Sequence, residues 1–168
     1  QAGTALLDDA AGTPYAMDYP GANVTWTLTP TGGDPEYQYS VVSNASFEVL
    51  ATHVPAAPNV YSDPQRVIQF PWTFNTSFFD TYVSPGNSGS ASWTYDGYGT
   101  FITSLGTFID QMKTTSTDGD VIFWNASPLF PTLIADSSSV MLFVPGANAV
   151  SEMEPAGPME AHPNPCAS

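Results

Sequence analysis

The stretch "SGSASWTYDGYGTFITSLGTFIDQM", Ser88 to Met112, decides the fold class. It mixes aromatic and β-branched residues with small polar ones, and two turn signals interrupt it: Asp96-Gly97 and Ser104-Leu105-Gly106. An Asp-Gly pair is favoured where both central residues of a turn need positive φ, as in two-residue hairpin loops. The pattern predicts three antiparallel strands over about 90–95, 98–103 and 107–114, joined as a meander. Downstream, "DVIFWNA" (120–126) and "SVMLFVPG" (139–146) are apolar runs of the kind found in strands beside a core.

Upstream, "EYQYSVV" (36–42) alternates, with Tyr37, Tyr39 and Val41 on one face, and "SFEVLATHV" (46–54) follows after the short turn "SNA". This reads as a hairpin. Residues 1–35 are rich in turn formers and offer one short strand, Val24 to Leu28. "PAAPNVYSDPQ" (55–65) reads as a proline-studded connection, too rigid for a helix or a central strand. No helix longer than two turns is expected. The expected fold is all-β, an antiparallel sandwich of jelly-roll or immunoglobulin-like type, over residues 1–146. Residues 147–168, with four prolines and three glutamates, read as a linker or arm.

The 168 residues suffice for one domain, and a hydrophobic content of 42% supports a core. Arg66 and Lys113 are the only strong bases, so the formal net charge is −14. Such a chain repels phosphate backbones and anionic lipid surfaces, which argues against nucleic-acid partners. No stretch reaches the ~20 apolar residues of a membrane-spanning helix. Cys166 is the sole cysteine, so the chain forms no disulfide within itself. "QAGTALLDD" suits a mature terminus left by signal-peptide removal and equally suits a proteolytic start.

The search for catalytic residues is negative. His53 ends a predicted strand and His162 lies in the tail. "GNSGS" (86–90) lacks the Gly-x-Ser-x-Gly spacing of a nucleophile elbow, and zinc or copper needs more His or Cys than the core provides. Asp118 and Asp120 flank Gly119, a spacing that offers oxygens to Ca²⁺ and that ordinary turn chemistry explains as well. No other cofactor is implied. Trp26, Trp72, Trp93 and Trp124 are the richer resource, because exposed ones stack on sugar rings. Asn23, Asn44, Asn75 and Asn125 each begin an Asn-x-Ser/Thr sequon, a glycan acceptor in a eukaryote or archaeon.

"VYSDPQRVIQFPWTFNTSFFDTY" (60–82) and "TYDGYGTFITSLGTF" (94–108) resemble a recurrent β-rich module of secreted Bacteroidetes proteins. The matching positions are Asp63, Pro64, Phe70, Pro71, Asp80, Asp96, Gly97, Tyr98, Gly99, Gly106 and Thr107. "TPYAMDYPGANV" (13–24) is similar to an earlier segment of these modules. The chain departs from them at Met112-Lys113, where they carry a leucine-arginine pair, and in lacking a recognisable strand before Thr13. That gap implies a groove or an open sheet edge. "HPNPCAS" (162–168), with Pro163, Asn164 and Pro165, looks like the entrance to a type IX secretion sorting domain. The resemblance implies export across the outer membrane by the type IX machinery to the cell surface or beyond, and no established activity.

Three functional readings follow. The first is a non-enzymatic structural or adhesive surface protein that assembles with itself or with other surface proteins by strand or arm exchange. The second is a polysaccharide-binding module, which needs two or three of the four tryptophans exposed on one face. The third is a glycoside hydrolase with dispersed carboxylates, which needs an acidic pair in a cleft.

Overall fold

The computed structural model describes residues 2–54, 57–103, 106–126, 129–143 and 150–152. The strands are β1 Ala2–Asp9, β2 Val24–Pro30, β3 Glu36–Val42, β4 Ser46–His53, β5 Asn59–Gln69 and β6 Ser77–Ser84. They continue with β7 Asn87–Thr103, β8 Gly106–Ser116, β9 Val121–Ala126, β10 Leu129–Ala135, β11 Val140–Phe143 and β12 Val150–Glu152. The only helical pieces among the described residues are two 3₁₀ turns, Ala10–Gly12 and Ala16–Asp18. The fold is therefore all-β and antiparallel, as expected.

Its connectivity is simpler than a jelly roll or an immunoglobulin-like sandwich. From β1 to β11 every strand pairs with the next in sequence, and β12 lies between β11 and β1 to close the order into a barrel. Short connections let consecutive strands pair directly, so no strand crosses between two sheets as those sandwiches require. The closure is brief. β12 meets β1 at Ala2–Ser151 and Gly3–Val150, and β11 at Phe143–Val150, Leu142–Ser151 and Met141–Glu152. The β1–β2 ladder, by contrast, runs from Gly3–Pro30 to Asp9–Val24.

Several local expectations are corrected. Asp96-Gly97 makes no turn: β7 runs through it as one strand of 17 residues, and the predicted strands 90–95 and 98–103 are its two halves. Tyr95 pairs with Thr114 and Gly97 with Lys113, so Asp96 is the extra residue of a bulge. At the second signal, β7 and β8 pair antiparallel up to Thr103–Gly106, and residues 104–105 lie outside the described residues. The proline-studded stretch is largely strand. Between Val49–Gln65 and Ala51–Val60 the β5 chain loops away from β4, and Pro64 sits within that bulge, where no ladder N–H is required of it. A strand does precede Thr13: β1 has few β-branched residues, and its extended form rests on pairing with β2. In the segment read as a linker, Val150–Glu152 form β12.

Alternation sorts the side chains. Phe47, Val49, Val67, Ile68, Ala91, Trp93, Ile122 and Trp124 form the main core. Phe123, alternating with Ile122 and Trp124, joins a second cluster with Phe101, Phe108, Leu133 and Leu142. A third cluster holds Ala10, Tyr19, Tyr39 and Ala51, with Tyr15 and Tyr37 packed against it.

Candidate functional site

The tryptophans do not form a sugar-stacking face. Trp26, Trp93 and Trp124 are buried and Trp72 is half-buried. Trp124 meets Phe47 and Trp72 edge-on, and its Nε1–H donates to Thr114 Oγ1 at 2.9 Å. Trp72 stacks on Tyr95 with ring centroids 5.6 Å apart. The strand positions of Trp26, Trp93 and Trp124 point them inward, where the largest apolar surfaces gain most from leaving water, and Trp72 packs against that core from the β5–β6 connection.

The Asp118–Asp120 stretch is the β8–β9 turn, organised by Ser116. Ser116 Oγ accepts from Asp118 N at 3.2 Å and Asp120 N at 3.0 Å, and Gly119 supplies a φ of +94°. Among the described residues no group of three or more His, Cys, Asp or Glu converges as metal ligands would. Of the sequon asparagines, Asn23 is tied to β3: its Nδ2 donates to Val42 O and its Oδ1 accepts from Val42 N, both at 2.8 Å. Asn44 and Asn75 are exposed, Asn75 with a φ of +64°, and Asn125 lies half-buried on β9 facing Gln111 Nε2 at 3.5 Å. Pro163, Asn164 and Pro165 lie outside the described residues.

A buried aromatic knot was not legible in the sequence. The segment carrying both 3₁₀ turns lies over β3 and β4. There Tyr15 stacks on His53 at 3.6 Å, and Tyr19 Oη pairs with His53 Nδ1 at 2.8 Å. Tyr39 Oη pairs with Thr13 Oγ1 at 2.9 Å and accepts from Tyr15 N at 3.2 Å. Burial, with help from Asp18 and Tyr39, raises the Tyr19 phenol above its usual value. His53 is thus a packed, hydrogen-bonded member of this clamp.

Charge leaves one sign uncompensated. Arg66 Nε pairs with Glu48 Oε1 at 3.1 Å and Lys113 Nζ with Asp96 Oδ2 at 3.2 Å. Both strong bases are therefore spent on internal partners, and the remaining surface charge is carboxylate. Asp80 is the buried acid among the described residues. β5 and β6 share a single ladder pair, Asp63–Val83, and beyond it Arg66 N donates to Asp80 Oδ2 at 2.8 Å. Burial outweighs this bond and raises the Asp80 pKa, with Arg66 opposing and Asp63 and Glu48 adding to the rise.

Two features face outward. At the end of the β7–β8 hairpin, Tyr98, Ile102 and Ile109 are exposed, Ile102 by 78%. Tyr98 Oη donates to Asp110 Oδ1 at 2.8 Å, and Asp110 sits at a bulge with a φ of +56°. The other feature is the edge of β1. On the side away from β2, only Ala2 and Gly3 have a strand partner among the described residues, leaving Thr4 to Asp9 without one. Leu6 on that stretch is 50% exposed. Comparisons with protein-family models, with curated proteins and with solved structures give no match.

Proposed function

We propose that this chain is an exported, extracellular structural protein that associates with copies of itself through the edge of its β-sheet. The β1 edge is the observation that carries this reading. Backbone N–H and C=O groups along Thr4–Asp9 have no strand partner among the described residues, and such an edge is a template for another extended chain. Asp8 and Asp9 at its far end oppose indiscriminate pairing. A net charge of −14 on every copy opposes association at low ionic strength. Screening with a Debye length of about 8 Å at physiological salt weakens that repulsion. Negative-stain electron microscopy and light scattering across a salt series test the proposal. Filaments, sheets or defined oligomers that grow with ionic strength are the expected result, and a monodisperse monomer at all salt concentrations refutes it.

The export reading rests on the module resemblance and the Pro163-Asn164-Pro165 motif, and it makes the type IX machinery a transient partner. A second reading, binding of extracellular polysaccharide, now rests on Tyr98 in place of the tryptophans. Its exposed ring is held by Asp110, and together they offer a stacking plane beside a hydrogen-bond acceptor. Retention on a glycan panel that Tyr98→Ala abolishes would favour that reading over assembly.

A further inference from the structure

Self-association through a sheet edge leaves open which strand completes the edge. β12 already lies beside it. Its three residues occupy the slot between the first and eleventh strands of an otherwise sequential meander. They pair with β1 at Ala2–Ser151 and Gly3–Val150, and with β11 at Phe143–Val150, Leu142–Ser151 and Met141–Glu152. Both ladders are antiparallel and both are made by backbone groups. A backbone ladder does not depend on which copy supplies the strand. The same N–H and C=O groups of a second chain meet the same partners in the same register.

The position of β12 favours exchange in two further ways. Among the described residues its ladders to β1 and β11 are short, whereas β2 holds β1 from Gly3–Pro30 to Asp9–Val24. Withdrawing β12 therefore breaks few ladder pairs among the described residues and leaves β1 to β11 paired in sequence. The residues it uncovers on β1 also adjoin Thr4–Asp9, which on that side have no strand partner among the described residues.

We infer that β12 is an exchangeable strand: in the assembled protein, Val150–Glu152 of one copy insert between β1 and β11 of another. Reciprocal exchange between two copies yields a closed dimer, and serial exchange yields a chain. This inference rests on the proposed self-association and names the strand that mediates it.

Cysteine pairs at ladder positions test it, because facing residues in antiparallel strands lie within disulfide reach. In a Cys166→Ser background, Ala2→Cys and Ser151→Cys are made as separate full-length variants with different mass tags. They are mixed under the salt conditions that favour assembly and then oxidised. The expected product is a disulfide-linked heterodimer joining position 2 of one chain to position 151 of the other, identified by peptide mass spectrometry. The double variant Ala2→Cys/Ser151→Cys, oxidised as dilute monomer, locks β12 in its own chain, and assembly should fall at least tenfold until reductant is added. Assemblies that form without the mixed heterodimer and survive the intrachain lock overturn strand exchange, leaving self-association through another surface standing. If the unmodified chain never assembles and no heterodimer forms, both proposals fail.

Discussion

Arg66 donates its backbone N–H to Asp80 Oδ2 where β5 and β6 have ceased to share a ladder, so one carboxylate bridges two strands. Burial raises the Asp80 pKa from its ordinary 3.8. The protonated form is therefore favoured by folding. The associated stability is fully present below the ordinary value and is lost as pH rises through the higher folded value. Asp80→Asn keeps an acceptor for Arg66 N–H and removes the buried charge. At neutral pH it should be neutral to stabilising, and it should flatten thermal stability measured across the acid range. Asp136 behaves oppositely. Its carboxylate accepts from the N–H and Oγ–H groups of Ser138 and Ser139, which lower its pKa to about 2. Any stability it lends is present above the ordinary 3.8 and disappears as pH falls through about 2. An NMR titration should show this low midpoint, and Ser138→Ala should move it upward. In the core, Trp124 is 1% exposed. Trp124→Ala should cost about 3–5 kcal/mol in chemical denaturation.

Among the elements, β7 is the longest strand and its bulge shapes the barrel wall. Asp96 there accepts from Lys113 Nζ at 3.2 Å and Thr115 Oγ1 at 2.8 Å, which anchors the extra residue to β8. The Asp-Gly pair was legible as a backbone irregularity, but bulges and turns draw on the same residue types. Long-range pairing chose between them. Gly89 marks another constraint on β7. It faces Tyr82, and a Cβ there would lie 2.4 Å from the phenol ring. Gly89→Ala should destabilise by about 1–3 kcal/mol through overpacking. Tyr82→Ala added to it should recover part of the loss, giving a positive coupling in a double-mutant cycle. The β3–β4 hairpin was legible because its alternation and its "SNA" turn are both local signals. β1 was not, because "AGTALLDD" carries little intrinsic strand preference.

For the whole molecule, one imbalance governs behaviour in solution: sixteen acidic residues against two bases, both of which are ion-paired. Repulsion between copies should make association strongly salt-dependent. Raising NaCl from about 20 mM to about 500 mM shortens the Debye length several-fold and should shift sedimentation profiles toward larger species. Substituting Thr4→Pro or Leu6→Lys on the β1 edge should suppress that shift without lowering the melting temperature by more than a few degrees. Proline cannot donate to an added ladder, and lysine places a charge on the edge strand. An unchanged sedimentation profile in both variants would move the interface away from β1.

Composition and period-two alternation, both local properties, determined by themselves that this protein is all-β and strongly anionic. They also placed the ends of several strands within a residue or two. Tertiary structure alone decided which aromatics face inward and that Asp96-Gly97 bulges instead of turning. It likewise brought His53 under Tyr15 and Tyr19, and set β12 between β1 and β11. Each of these depends on contacts and register between segments that local sequence does not align. A slip of one residue reverses every side chain on a strand, and only the packed partners across the sheet fix that register.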